Sequence, residues 1–347
     1  MSHVVIIGAS FAGIPIAHSL LTDVPSIKVT LLNPSTFYFT IAAPRILAKQ
    51  DAFRPEQYLP PIEKAFVSYP KTSFEFIKGC ASAIDVSTRT QSNSDNIETL
   101  IQAAQACIKT SQSIVIGVAG PIVVELAGEL AEAARLAGRG VSITLVSASS
   151  RILPMLQLAR SRAAEKLLAA QGVRVLTNQK VTGAMQSSDS GIWKVTLSKD
   201  GGELDADLYI STTGALPNNE FSPMGFLNEN RWVVVDKELP VVWRGGAGAA
   251  SLPIYVAGDI TNKSMRLSFK AREQAAVVAN NMKPDTLGQG RKRKTYDQGN
   301  TILMMVPVGS TGATGLIFGW TPWSTMVKMV QAKDFLISRA QSSVAAS

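Results

Sequence analysis

The chain has 347 residues, 46% hydrophobic and only 17% charged, against a charged share of roughly 25% in an average soluble domain. That balance excludes intrinsic disorder, and a chain of this length can bury most of its apolar surface in two or three domains. Lys and Arg number 34 and Asp and Glu 26, giving a net charge of +8. This excess suits an anionic cofactor or surface, while no basic stripe interleaved with aromatics suggests nucleic acid. Two cysteines (Cys80, Cys107) do not make a disulfide framework or a thiolate metal site, and two histidines (His3, His18) leave almost no material for His-based metal or triad chemistry.

The first 33 residues read strand, turn, helix, strand. HVVIIG is a continuous apolar run of strand length, a helix is expected over 14–21 with Pro15 tolerated in its first turn, and IKVTLLN is a second buried strand. This is a βαβ unit with a parallel sheet. Its turn, Gly8-Ala9-Ser10-Phe11-Ala12-Gly13, has the glycine-rich form that lets a backbone approach a pyrophosphate at a helix N-terminus. Gly8, Ser10 and Gly13 are therefore candidate dinucleotide ligands, Ser10 standing where a glycine is usual. Asn33 ends the second strand, where an acid usually grips the adenosine ribose, and its amide can hydrogen-bond a hydroxyl less strongly.

The same architecture recurs about 110 residues later. SIVIGVAG is a strand and turn, PIVVELAGELAEAARL an apolar helix with its acids expected on the outer face, VSITLVSAS a strand, and 155–171 a helix ending at Gly172. The second turn keeps only Gly120 of the pattern. Val118 and Val123 replace glycines, and a valine at positive φ costs about 1–3 kcal/mol, while Val123 is expected to push the helix off its strand. Ser147 stands at the usual acid position with Arg151 nearby, which makes NADPH at least as suitable as NADH. VRVLTNQKV, WKVTLS and DLYISTTG follow as short strands forming an antiparallel meander.

PIYVAGDI reads as another buried strand, and 270–281 as an Ala-rich helix followed by a polar loop, 283–294, carrying Arg-Lys-Arg-Lys at 291–294 as a solvated run. Residues 298–327 carry no charge. Pro307, Gly309, Gly312, Gly315 and Gly319 break them into two short apolar runs, a buried hairpin rather than a membrane span. An amphipathic helix and polar tail are expected to follow. The cysteines lie too far apart for a redox pair, Ser10 is not a nucleophile elbow because G-x-S-x-G fails at Ala12, and His18 is expected to be an ordinary surface or boundary residue.

GASFAG, PIVVELAGELAEA, STTGALPN, YVAGDIT and VPVGSTGATGLIFGW occur in the order found in two-dinucleotide-domain flavoproteins. The chain resembles the apoptosis-inducing-factor-like FAD/NAD(P)-binding oxidoreductases, and within them the mitochondrion-associated inducer of death and ferroptosis suppressor group. The resemblance implies an α/β fold of two Rossmann-like domains plus a small C-terminal module. It places an FAD-binding domain at 1–112 and 219–298, an NAD(P)-binding domain at 113–218, and a hairpin and helix at 299–347. It also implies that FAD is held by Gly8, Ser10, Gly13, Asn33, Arg45 on the flavin side, Gly258 and Asp259, the last accepting from the ribityl chain. NAD(P)H falls to Gly120, Ser147, Arg151 and Gly214, with Glu125 as the acid beside the nicotinamide.

The implied activity is hydride transfer from NAD(P)H to flavin and electron transfer to a quinone-type or other small acceptor. No metal is implied, and the expected location is cytoplasmic, with a peripheral membrane contact through 320–323 and the positive charge as a further option. The sequence departs from the family in one other respect. A strand ending in Ala-Thr-Gly is absent, the chain running from IDVSTRTQ directly into the helix DNIETLIQ. Together with Val118 and Val123 this leaves a second reading open, a catalytically degenerate flavoprotein or binding scaffold with impaired NAD(P)H binding.

Overall fold

The computed structural model describes residues 2–38, 43–84, 89–92, 97–198, 202–212, 217–243, 254–288, 292–299, 304–310, 312–316, 337 and 340–345. Two parallel sheets organise the chain. In the first, β1 (His3–Ile7), β2 (Lys28–Asn33) and β3 (Phe74–Lys78) lie in the order β1-β2-β3, and α1 (Gly13–Asp23) connects β1 to β2. Val4 and Ile6 point into a core made by α1 and α7 (Ser268–Leu287), together with Leu31, Phe226 and Val233. Val5 and Ile7, on the other face of β1, are 38% and 43% exposed. Among the described residues β1 is an edge strand with no partner on its outer side.

The second sheet has four parallel strands in the order β12-β6-β7-β8, formed by β6 (Ser113–Gly117), β7 (Ser142–Val146), β8 (Val173–Leu176) and β12 (Leu208–Ser211). Helices α5 (Pro121–Leu136) and α6 (Leu158–Ala170) supply the crossovers. Here β6 is interior, and Ile114, Val115 and Ile116 are all buried. β1 and β6 thus belong to separate sheets, and the molecule is the expected α/β pair of nucleotide-binding folds. A two-stranded ribbon, β4 (Cys80–Ile84) with β5 (Arg89–Ser92), precedes α4 (Ile97–Thr110). The hairpin β13 (Met304–Val308) and β14 (Gly312–Leu316) packs Val306 and Val308 into the core beside α5 and α6.

Several local expectations are corrected. The meander consists of β9 (Val181–Gln186), β10 (Trp193–Leu197) and β11 (Glu203–Ala206). VRVLTNQKV splits between β8 and β9, and LYIS joins the parallel sheet, because the polar Thr177–Lys180 stretch releases the chain from one sheet to the other. Residues 254–258 are half-buried and form no ladder among the described residues, only a bridge from Tyr255 to Pro240. A parallel strand needs a neighbour to accept its backbone bonds, and the first sheet stops at β1. Helix α7 runs on through Pro284 to Leu287, so the first part of the expected loop is helical.

Of the basic run, Arg293 is not a solvated cation. It pairs with Asp285 at 2.6 Å and approaches Glu238 at 3.7 Å. His18 is buried rather than superficial, stacked on Phe66 with centroids 4.2 Å apart, its ring nitrogens 3.1 Å from the Tyr69 hydroxyl and 2.8 Å from the Val344 carbonyl.

Candidate functional site

The first turn carries the geometry that its sequence predicts. Gly8 sits at φ +100°, a conformation that L side chains rarely adopt, and a Cβ on Gly13 would collide with the Gly8 carbonyl oxygen. Helix α1 begins at Gly13 with no side-chain cap; the Ile14 N–H donates to the Ser10 carbonyl at 3.2 Å, and among the described residues the N–H groups of residues 10–13 have no acceptor. Three small residues let neighbouring segments close on this turn. A Cβ placed on Gly258 would lie 3.8 Å from Ala12 and 4.0 Å from Ala271, at the start of α7. Gln274, fully buried, locks the approach by accepting from the Gly258 N–H at 2.7 Å and donating to the Lys263 carbonyl at 2.8 Å. Asp259 accepts from the Ser264 hydroxyl at 3.0 Å.

Asn33 stands beside this turn with its amide already committed. Its Oδ1 accepts from Ala9 N–H at 2.9 Å and its Nδ2 donates to Ser35 O at 2.8 Å, so it braces the turn from the end of β2.

Where the two folds meet, α2 (Ala43–Ala48) lies against α5. The acids of α5 do not face outward, which corrects the sequence expectation: Glu125, Glu129 and Glu132 are all buried. Arg45 forms a two-pronged pair with Glu129, Nε to Oε2 at 3.0 Å and Nη2 to Oε1 at 2.7 Å. Lys49 reaches Glu129 at 2.9 Å and Glu132 at 2.5 Å. Glu132 also accepts from the Ser310 N–H at 3.0 Å and from its hydroxyl, in the turn between β13 and β14. Burial alone would raise the Glu132 carboxyl, but bonds from Lys49 and Ser310 hold it below the ordinary range.

Glu125 is the exception in this cluster. Among the described residues it makes no hydrogen bond or ion pair, and burial, with the neighbouring Glu129 charge adding to it, pushes its carboxyl up to about 8. At neutral pH it holds a proton. The spacing of Glu125, Glu129 and Glu132 places them on one helical face, and Arg45 and Lys49 are four residues apart. Those matching intervals were the sequence signal for Lys49, Glu129 and Glu132. An apolar helix with regularly placed acids reads as amphipathic from sequence alone, because the partner helix lies some 80 residues away.

The second turn is distorted as its sequence suggests. Val118 sits at φ +76° and is 42% exposed. Val123, however, does not displace the helix: it is buried in the second core, and α5 forms from Pro121 onward. The close approach has moved to Gly117, where a Cβ would lie 2.8 Å from the Tyr209 hydroxyl. Gly120 caps α5 through backbone only, which again leaves N–H groups free of side-chain acceptors. Ser147 is buried and donates to the Arg151 carbonyl at 3.3 Å, and Arg151 Nη2 donates to the Pro154 and Leu156 carbonyls at 2.9 and 3.2 Å. Gly214 and 320–323 lie outside the described residues. No described helix is long and apolar enough to cross a membrane.

Two helix N-termini without side-chain caps on two parallel sheets, with a buried acid cluster on α5, are the arrangement of a two-domain dinucleotide-binding protein. The cradle at Gly8–Gly13, closed by Gly258 and Ala271, fits the pyrophosphate of a dinucleotide such as FAD. The pyridine nucleotide-disulphide oxidoreductase profile matches residues 74–275. The chain is 30% identical to "oxidoreductase ptaL" of Pestalotiopsis fici over 97% of each chain. That alignment spans 377 positions, more than the chain's 347 residues can fill, so the relative carries residues that this chain lacks.

The chain is also 25% identical to ferroptosis suppressor protein 1 of Xenopus tropicalis, over 97% of this chain and 94% of that one. In fold it is similar to the sulfide:quinone oxidoreductase of Aquifex aeolicus, with TM-score 0.72 and 18% identity over 100% of this chain and 93% of that one. The chain belongs to the pyridine nucleotide-disulphide oxidoreductase family. It is an NAD(P)H-dependent flavin oxidoreductase, with FAD and NAD(P)H as its cofactors.

Proposed function

We propose that the chain oxidises NAD(P)H and delivers the electron pair to a quinone-type acceptor. The balance is NAD(P)H plus quinone plus one proton giving NAD(P)⁺ plus hydroquinone, so a proton beyond the hydride must be supplied. FAD at the first turn supplies the centre that carries hydride and electrons. The observation that carries the reading is Glu125, a buried carboxyl on α5 without a hydrogen-bond partner among the described residues and protonated at neutral pH. A raised, buried carboxylic acid is suited to hand over a proton where a product anion forms. Arg45, Lys49 and Ser310 neutralise Glu129 and Glu132 and hold the two folds and the hairpin around it. The similarity in fold to a protein named for quinone supports the choice of acceptor.

Anaerobic mixing of the flavin-loaded protein with NADPH or NADH tests the first half. Ser147 in place of an acid removes a repulsion against the 2′-phosphate, so NADPH is expected to reduce the flavin at least as fast as NADH. A short-chain quinone added in the second syringe should reoxidise it. Glu125→Gln is expected to slow that second phase while the first persists, and to flatten its pH dependence near the Glu125 transition. The strained Val118 favours the second reading, a degenerate flavoprotein. Flavin that neither nucleotide reduces, in wild type and in Val118→Gly alike, would establish that reading instead.

A further inference from the structure

Tyr38 is 2% exposed, yet among the described residues its hydroxyl has no hydrogen-bond partner. A buried polar atom left in that state costs about 1–3 kcal/mol, and the Arg272 guanidinium beside it is itself a donor, so the hydroxyl proton has no acceptor among the described residues. Its place in the fold says which partner. The Tyr38 ring packs edge-on against Phe11, inside the Gly8–Gly13 turn, with centroids 5.5 Å apart at 77°. Burial pushes the hydroxyl up to about 12, and the nearby Arg272 guanidinium draws it only partly back, so Tyr38 remains a donor at any physiological pH.

Arg272 stands on the same corner. It is an exposed residue near the start of α7, its guanidinium carbon 5.7 Å from the centre of the Phe11 ring. It forms no ion pair among the described residues, whereas its neighbours Lys270 and Glu273 pair with each other at 2.8 Å. Ala271, next to it, is one of the small residues that bring α7 against Gly258 and the turn. A buried hydroxyl donor without an acceptor and a guanidinium without a carboxylate therefore meet at the edge of a turn whose backbone N–H groups await an anion. The turn itself, Gly-Ala-Ser-Phe-Ala-Gly, contains no cation.

We propose that Tyr38 and Arg272 form a side-chain anion contact for the pyrophosphate of the dinucleotide held at Gly8–Gly13, Tyr38 donating a hydrogen bond and Arg272 supplying the countercharge. The proposal rests on the assignment of FAD to the first turn and adds to it two residues outside the glycine motif. Asn33, engaged with Ala9 and Ser35, leaves this corner to them.

The test is FAD binding by the apoprotein, read from quenching of flavin fluorescence at low and moderate salt, for wild type, Tyr38→Phe, Arg272→Ala and Arg272→Lys. Hydrogen bonds to charged groups are worth about 1.5–3 kcal/mol, so Tyr38→Phe and Arg272→Ala should each weaken FAD about ten- to hundredfold. Arg272→Lys should recover part of the loss, and Arg272→Ala should bind FAD with a shallower salt dependence than wild type. Riboflavin, which has no phosphate, should bind wild type and variants alike. Unchanged FAD affinity in Tyr38→Phe and Arg272→Ala overturns the proposal, as does an equal loss for riboflavin, which would place the two residues at the ring system or in the fold. Wild type that takes up no FAD overturns the cofactor assignment itself, a result distinct from either.

Discussion

The two nucleotide folds of this chain are damaged in opposite ways. The first keeps an intact glycine turn, with Gly8 at φ +100° and no room for a side chain at Gly13, but its sheet stops at three described strands and leaves β1 at an edge. The second has a four-stranded sheet with β6 buried inside it, but its turn holds a valine at φ +76°. Turn chemistry and sheet completeness are thus separable. A helix N-terminus is positioned by the strand immediately before it and the small residues beside it, and neither property needs the far edge of the sheet.

The largest effect is expected where the two folds are joined. Glu129→Ala removes the two-pronged partner of the buried Arg45 guanidinium and leaves Lys49 its pair with Glu132, and removing one partner of a buried pair costs about 3–5 kcal/mol. Urea unfolding followed by circular dichroism measures it. Arg45→Met combined with Glu129→Leu should recover most of the loss, because the cost lies in the unpaired charge rather than in the missing attraction. A single variant with wild-type midpoint would mean that the clasp does not hold the folds together.

Substitutions at the two turns should have opposite signs. Gly13→Ala places a methyl on the Gly8 carbonyl oxygen, so it should destabilise the protein by about 2–3 kcal/mol and expel FAD. Val118→Gly relieves a strain of about 1–3 kcal/mol, less the entropy that glycine adds to the unfolded chain, for a net gain near 1 kcal/mol. Thermal melts of the apoproteins give both signs, and a loss on Val118→Gly would show that the valine conformation is compensated by contacts on its side chain.

Acidity separates the joint from both turns. Glu125 has its carboxyl raised from 4.5 to about 8 in the folded protein, so between those values the folded state binds more protons than the unfolded one. Its contribution is fully present below pH 4.5 and fades as pH rises through 8, with a slope no steeper than about 1.4 kcal/mol per pH unit. Glu132 is lowered, so its contribution is present above the ordinary carboxylate range and is lost on acidification. Glu125→Gln should flatten the alkaline limb and leave the acid limb in place. Denaturant titrations across the pH range distinguish the two.

Much of this architecture was legible in the sequence because it is local. The βαβ units, the glycine turn and the strained Val118 all rest on spacing within about ten residues. Glu125 was singled out by resemblance, but its raised carboxyl comes first from burial and then from the Glu129 charge, and Glu129 is held by Arg45, 84 residues away. Tyr38 and Arg272 carry no motif, and only folding brings them to Phe11. The strand expected in PIYVAGDI forms no ladder among the described residues for a related reason: its apolar composition is real, but a strand is defined by its neighbours, and the described part of the first sheet stops at β1.

The smallest effect is expected at the exposed face of the truncated sheet, where it isolates what the missing neighbour does. Val5 on β1 and Val115 on β6 occupy the same place in their βαβ units, three residues before Gly8 and three before Val118, and each sits in a parallel ladder, opposite Thr30 and Thr144. Val5 is 38% exposed and Val115 is buried. Replacing valine by threonine keeps the shape and the strand preference but puts a hydroxyl where a methyl was, so the change reports burial almost alone. Val115→Thr should cost about 1–2 kcal/mol, since the new hydroxyl lies in the apolar layer beneath Trp193 and Tyr209. Val5→Thr should fall within about 0.5 kcal/mol of wild type, as surface substitutions do. Equal costs at the two positions would mean that the outer face of β1 is covered in solution, and the difference between the two folds would then lie in their turns alone.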